Sequence, residues 1–271
     1  MNTATRAVLL ATLASVALLP LLTGHALLQE TPHFHQGGPG SAFEHLDVVI
    51  LLLLTVAAFV PLVRLAGVVP RLFAASRSLR AIASGGSPRS LRGIAYVRVP
   101  GNEVTFFTAG FSRPRIYVSA GAESSLAPGP FYAALLHERA HADRHDVRWL
   151  ALVAALERAL AFVPWSQRTF GLLRLLIECR ADERALAAGA SRLDLFDAIV
   201  VASAPSVADG AALSEVGTLE RLRWLAEPRQ ERVDETRTAA VLFASLMTAP
   251  ALAHLLLWIG VFCAICSTHG G

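Results

Sequence analysis

The chain contains no lysine: all 24 basic residues among its 271 are arginine. That uniformity speaks of coding bias in a GC-rich genome rather than of function. Charge of either sign is scarce. Asp, Glu and Arg together make up 17% of the sequence, below the roughly 25% of soluble domains. The net charge is +3 with the arginines scattered, which excludes the basic stripe that direct nucleic acid binding needs. Three cysteines cannot build a disulfide framework. Cys179 stands alone in a polar segment. Cys263 and Cys266 form a CxxC in an apolar run with no second pair to complete a zinc site, so all three read as small apolar filler.

What the chain has in excess is apolar surface, 54% of residues. A spanning helix needs ~20 predominantly apolar residues, and three runs reach that length: 7–29, 48–69 with Arg64 snorkelling at its end, and 239–266 with Pro250 inside it. A fourth, "VRWLALVAALERALAFVP", carries Glu157 and Arg158 in its middle and reads as a buried or interface-lying helix. Residues 29–47 hold Glu30, Glu44 and Asp47 and no arginine, whereas Arg64, Arg71, Arg77, Arg80, Arg89 and Arg92 follow the second run. Positive residues stay inside. The expectation is therefore two membrane helices over 1–70, a cytoplasmic domain over 71–238, and a third membrane helix with a short outer tail over 239–271. This describes a multi-pass protein of a bacterial plasma membrane, with the lipid bilayer as a partner. The rival reading of the N-terminus is a cleaved signal peptide, with Arg6, an apolar core and the small-x-small "GHA" at 24–26. The histidines of "HFHQGG" (33–38) read as part of a Gly-rich connector.

The central region predicts an α+β fold dominated by helices. "GIAYVRVPGNEVTFFTAGFSRPRIYVSAG" alternates β-branched and aromatic residues around a turn at Pro100–Asn102, which predicts a small antiparallel sheet. Pro128 and Pro130 precede a helix from about Phe131 through Asp146. Pro164 breaks the next helix, another runs from Ser166 to Gly189, Ser191 caps a third, and "LSEVGTLERLRWLAE" is amphipathic.

The densest polar run is "ALLHERAHADRHDV". His137, Glu138 and His141 form H-E-x-x-H, which on a helix sets both imidazoles on one face to reach a single ion, with Glu138 beside its open side as a proton acceptor. A catalytic zinc site needs a third protein ligand and a vacant corner. The metzincin arrangement would need Gly at 144 and His or Asp at 147. Arg144 and Val147 exclude it. The other common solution is a glutamate on a later helix, and "LLIECRADERAL" supplies Glu178, with Asp182 one turn on to orient a ligating histidine. Asp146 can cap or brace the helix end or serve the site. Asp143, His145 and Glu183 read as solvated faces.

Four segments, "FTAGFSRPRIYVSAG", "LLHERAHADRHD", "VPW" and "IECRAD", together resemble the BlaR/MecR-type membrane metallopeptidases over roughly 104–190, with a weaker likeness in "TLERLRWL". The resemblance implies a gluzincin-like zinc peptidase with His137, His141 and Glu178 as ligands, Glu138 as catalytic base and Asp182 and Asp146 as supporting acids. It implies a cytoplasmic protein or peptide substrate, such as a transcriptional repressor. HtpX-like membrane-protein quality-control proteases share the zinc motifs but carry apolar hairpins where this chain has a charged helix. A non-catalytic metal-binding membrane sensor is the third alternative. The chain departs from the best-known members in two ways. It has no S-x-x-K and no room for a penicillin-binding sensor domain, and Ala181 stands where the family places a cysteine. Neither the oligomeric state nor an oxyanion donor follows from the sequence.

Overall fold

In the structure, a computed structural model, the described residues are 3–30, 59–68, 70–71, 85–162, 166–203 and 212–226, with single positions 53, 56, 74, 77, 78, 81 and 244. The chain divides into two compact units. One is formed by Pro70–Ala154 and Gln167–Val233, the other by Asn2–Val69, Ala155–Ser166 and Asp234–Gly271.

The first unit holds the sheet and most of the helices. In chain order the strands are β1 (Ser87–Leu91), β2 (Ile94–Val99), β3 (Phe106–Ala109) and β4 (Arg115–Ser119). Helices α2 (Ala120–Ser125), α3 (Pro128–Arg144), α4 (Asp146–Ala159), α5 (Ser166–Ala187), α6 (Arg192–Ala202) and α7 (Ala212–Ala226) follow. A helix α1 (Thr3–Glu30) lies in the second unit.

The sheet is mixed, in the order β1-β2-β4-β3, and this corrects the expected antiparallel sheet. β2 runs parallel to β4, with Val97 opposite Tyr117, while β3 and β4 form an antiparallel hairpin. The segment after Pro100 makes no β2–β3 hairpin because its backbone is committed elsewhere. Gly101 O accepts the Gly121 N–H at 2.8 Å and Thr105 O accepts the Ser119 N–H at 3.0 Å. Ser119 Oγ donates to Glu103 O at 2.5 Å and accepts from the Thr105 N–H at 3.0 Å. β1 escapes sequence reading since "SPRSL" is an exposed edge with no apolar alternation. Arg92 and Gly93, both at positive φ, make the two-residue turn that joins it to β2.

Alternation along the strands sends Ile94, Tyr96, Ile116 and Val118 into the main core, where they meet Phe131, Leu135 and Leu136 of α3, Leu195 and Ile199 of α6 and Leu225 of α7. The opposite face carries a smaller cluster of Val99, Ala109 and Tyr117. Phe106 packs on Phe131 with ring centroids 5.5 Å apart. This fixes β3, the edge strand, over α3. Helix ends follow local chemistry: Pro128 opens α3 where its missing N–H costs nothing, and the Ser191 hydroxyl caps α6 by accepting from Asp194 N–H at 3.0 Å.

The expected membrane architecture is corrected. Among the described residues, no helix is long and apolar enough to cross a membrane. The expected α+β membrane protein with two N-terminal and one C-terminal transmembrane helices, its multi-pass plasma-membrane location and its bilayer partner therefore lose their basis. So does the cytoplasmic placement of 71–238 that was argued from them. The run at 7–29 does fold as helix α1. Thr5, Leu9, Thr12 and Val16 along it form one buried stripe, while Leu10 and Leu18 are exposed. An apolar run reads the same whether protein or lipid covers it, which is why composition misled. The second expected run is described only in part, and the third, 239–266, lies outside the described residues apart from Ala244, as do Pro164 and the "HFHQGG" connector.

The crossover after β2 gives a stability prediction. A Cβ at Gly121 would sit 2.1 Å from Asn102 O and 2.8 Å from Glu103 O, whereas one at Gly171, within α5, would meet nothing within 4 Å. Gly121→Ala should destabilise by on the order of 1–3 kcal/mol, and Gly171→Ala should be neutral or stabilising by about 0.5–1 kcal/mol. Equilibrium denaturation of the two variants should order them so.

Candidate metal centre

His137 and His141 lie four residues apart on α3, so both rings leave the same helix face. Their planes are nearly perpendicular, at 84°, and their Nε2 atoms are 3.1 Å apart. Glu178 comes from the middle of α5 to complete the group. Its Oε2 is 3.3 Å from His137 Nε2 and its Oε1 3.6 Å from His141 Nε2. Ligands about 2.0–2.1 Å from a tetrahedral ion stand about 3.3–3.4 Å from one another. The separations are close to that edge, the two to Glu178 ending on its different oxygens, so two imidazoles and one carboxylate converge on a common point. His137, His141 and Glu178 form a group that could hold a metal ion.

Behind each ring stands a buried carboxylate, and behind each carboxylate an arginine. Asp182, fully buried, places Oδ1 2.8 Å from His137 Nδ1, off the line of the ring N–H. Arg221 of α7 forks onto Asp182, with Nε donating to Oδ2 at 2.9 Å and Nη2 to Oδ1 at 2.7 Å. Its Nη1 lies 3.0 Å from Glu178 Oε2. Asp146, also fully buried, reaches His141 Nδ1 at 3.1 Å, and Arg144 Nε donates to its other oxygen at 3.4 Å. Each imidazole thus has a carboxylate against its outward nitrogen, aligned for a hydrogen bond at His141 and off the ring N–H line at His137, and its Nε2 turned to the common point, as in metal-binding histidines whose carboxylate partners orient them.

α3 stops at Arg144 rather than continuing through Asp146. His145 takes the left-handed conformation at φ 56°, its N–H returns to Ala142 O, and Asp146 opens α4. Asp143 and Glu183 are exposed, as solvated faces should be.

The electrostatics of the group favour positive charge between the rings. Burial alone would depress the His141 ring, but Asp146 and Glu178 outweigh it and push it up to about 10. His137 is raised against the same burial by Asp182 and Glu178. Glu178, which burial would raise, is held well below the usual carboxylate range by the two imidazoles, and Asp182 is lowered by His137 and Arg221 against its own burial. A potential that holds protons on two rings also attracts a divalent ion.

Glu138 follows His137 on α3 and is buried to 8% exposure. Thr108 of β3 fixes it: Thr108 Oγ1 lies 2.8 Å from Glu138 Oε2 and 3.0 Å from the Glu138 backbone oxygen. Both glutamates, both histidines and Arg221 line a cleft of about 370 Å³, whose remaining wall is largely apolar, from Phe106 and Phe107 on β3 to Leu195, Ala198 and Ile199 on α6. Tyr132 and His145 are not among the residues lining it: Tyr132 packs beneath the Arg92 guanidinium at 4.6 Å, and His145 is the helix cap.

The structure therefore brings together all six residues singled out in the sequence: Glu138, His137, His141, Glu178, Asp182 and Asp146. Sequence reading missed Thr108 and Arg221. Arg221 left one usable signal. It sits four residues before Leu225 on the apolar side of α7, and an arginine on a buried face marks a partner carboxylate.

Equilibrium dialysis should find one divalent ion per chain. His141→Ala and Glu178→Gln should abolish stoichiometric uptake, and Asp146→Asn should weaken it about 10–100-fold. Binding should weaken as pH falls, since protons compete for the imidazoles.

Comparison with family models, with curated proteins and with solved structures finds no match, so the chemistry of this centre is read from its own geometry.

Proposed function

We propose that the chain is a zinc-dependent peptidase, as its resemblance to the BlaR/MecR-type metallopeptidases implies. The supporting observation is the convergence of His137, His141 and Glu178 on one point with the Glu138 carboxylate at the same cleft. Two imidazoles and a carboxylate are a donor set suited to zinc, and three protein ligands with an open corner distinguish a catalytic from a structural site. When bound, zinc lowers the pKa of its water and polarises a carbonyl.

The residues of the chain do the rest. Glu138 accepts a proton from the attacking water and passes it to the leaving amine, and the Thr108 hydroxyl holds the carboxylate in place for both transfers. Asp182 and Asp146 keep the two Nε2 atoms aimed at one point. Among the described residues the outer edge of β3 has no strand paired to it, and it lies beside the cleft, so an extended substrate can add to it by backbone hydrogen bonds. The apolar wall of the cleft would take an uncharged side chain next to the scissile bond. A repressor-type regulatory protein is the substrate class that the resemblance implies.

Glu138→Gln separates catalysis from metal binding. It should retain one zinc per chain while turnover of a quenched fluorescent peptide library falls by about 10²–10⁴-fold, the contribution of a positioned base. Undiminished cleavage in that variant would remove the peptidase reading. Zinc uptake by the wild type without cleavage of any peptide would leave the non-catalytic metal-binding alternative.

A further inference from the structure

Arg221 belongs to neither H-E-x-x-H nor E-x-x-x-D, yet it touches both acidic members of the second motif. Its guanidinium is largely buried, its side chain 13% exposed. Nε and Nη2 form a fork on Asp182, and Nη1 reaches the ligand oxygen Glu178 Oε2. Asp182 in turn stands behind His137. One side chain from α7 therefore restrains two of the three metal donors, Glu178 directly and His137 through Asp182. Arg144 is a lesser counterpart, with a single 3.4 Å contact to Asp146 and no contact to a metal donor.

We propose that Arg221 is a positioning residue of the candidate metal centre: its planar fork locks the Glu178 and Asp182 carboxylates in the arrangement that brings Glu178 and His137 to the point they share with His141. Glu178 and Asp182 are one turn apart on the same face of α5, and both side chains have rotatable bonds. A guanidinium with donors in one plane fixes the two carboxylates relative to each other, which a point charge cannot do. α7 thereby becomes part of the metal site, although its sequence holds no metal-ligating residue in the group. The inference rests on the metal-binding part of the function proposed above and not on hydrolysis.

The sign of one measurement separates this role from that of a bystander charge. A bystander cation beside the site repels a divalent ion, so its removal should tighten binding. A positioning residue preorganises the donors, so its removal should loosen binding, by about 10–100-fold for a partner of this kind. The experiment is competition of the full chain with a chromophoric chelator for zinc, in the wild type, Arg221→Met and Arg221→Lys, with circular dichroism to verify folding. The cobalt(II)-loaded forms report ligand geometry through their visible bands.

Arg221→Met should raise the zinc dissociation constant by 10–100-fold and alter the cobalt bands. Arg221→Lys, which keeps the charge and loses the fork, should fall at least 10-fold short of the wild type. If the Met variant does not fold, the Lys variant carries the test alone. Equal or tighter zinc binding in Arg221→Met, or full recovery in Arg221→Lys, overturns the inference. A wild type that takes up no zinc overturns the metal reading and this inference together, whereas an unaffected variant of a zinc-binding wild type overturns the inference alone.

Discussion

Two imidazole nitrogens held 3.1 Å apart in a mostly apolar interior are the constraint on which the rest of the first unit depends. Burying two polar rings face to edge is costly unless every nitrogen has a partner. The chain answers with three carboxylates from two helices, Asp146 at the start of α4 and Glu178 and Asp182 from α5, with His137 Nδ1 held by the charge of Asp182 rather than by an aligned hydrogen bond. Those carboxylates bring their own cost, met by Arg144 and Arg221. The outcome is a polar column running through the helices, in which most members share partners with the next.

The sheet serves this column from one side. β3 is short and lies at an edge, and its contributions are specific: Phe106 docks the strand on α3 through Phe131, and two residues on, from the same strand face, Thr108 reaches Glu138. The parallel pairing of β2 with β4 requires a crossover, and the crossover is tied down at Ser119 and Gly121 just before α2. Secondary structure that looks remote from the cleft thus sets the height of the one strand that borders it.

Much of the site was legible because helical spacing converts directly into a shared face. H-E-x-x-H and E-x-x-x-D each state a one-turn relation, and that relation survives folding unchanged. The Ser191 cap was legible for the same reason, and the prolines marked the start of α3, which begins at Pro128 rather than at Phe131. What failed was long-range. Strand order depends on where the segment after Pro100 finds its hydrogen bonds, and nothing in "PGN" distinguishes a hairpin from a crossover. β1 has no apolar period to read. Apolar runs do not say what covers them, and the membrane architecture inferred from them is the largest correction. Arg221 was hidden because its meaning lies in a helix about forty residues away in sequence, at Asp182.

The left-handed residue between α3 and α4 has a consequence of its own. On an unbroken helix a residue five positions on is rotated by about 140° at ~100° per residue, so Asp146 would look away from His141. The chain reversal at His145 undoes that rotation. The five-residue interval between histidine and aspartate is thus a ruler that measures a kink rather than a helical face. Lengthening or shortening it by a single residue would turn the acid out of reach, so insertions and deletions should be tolerated far less at this corner than substitutions. A residue suited to the left-handed conformation, Asn or Gly, should replace His145 with the metal centre intact.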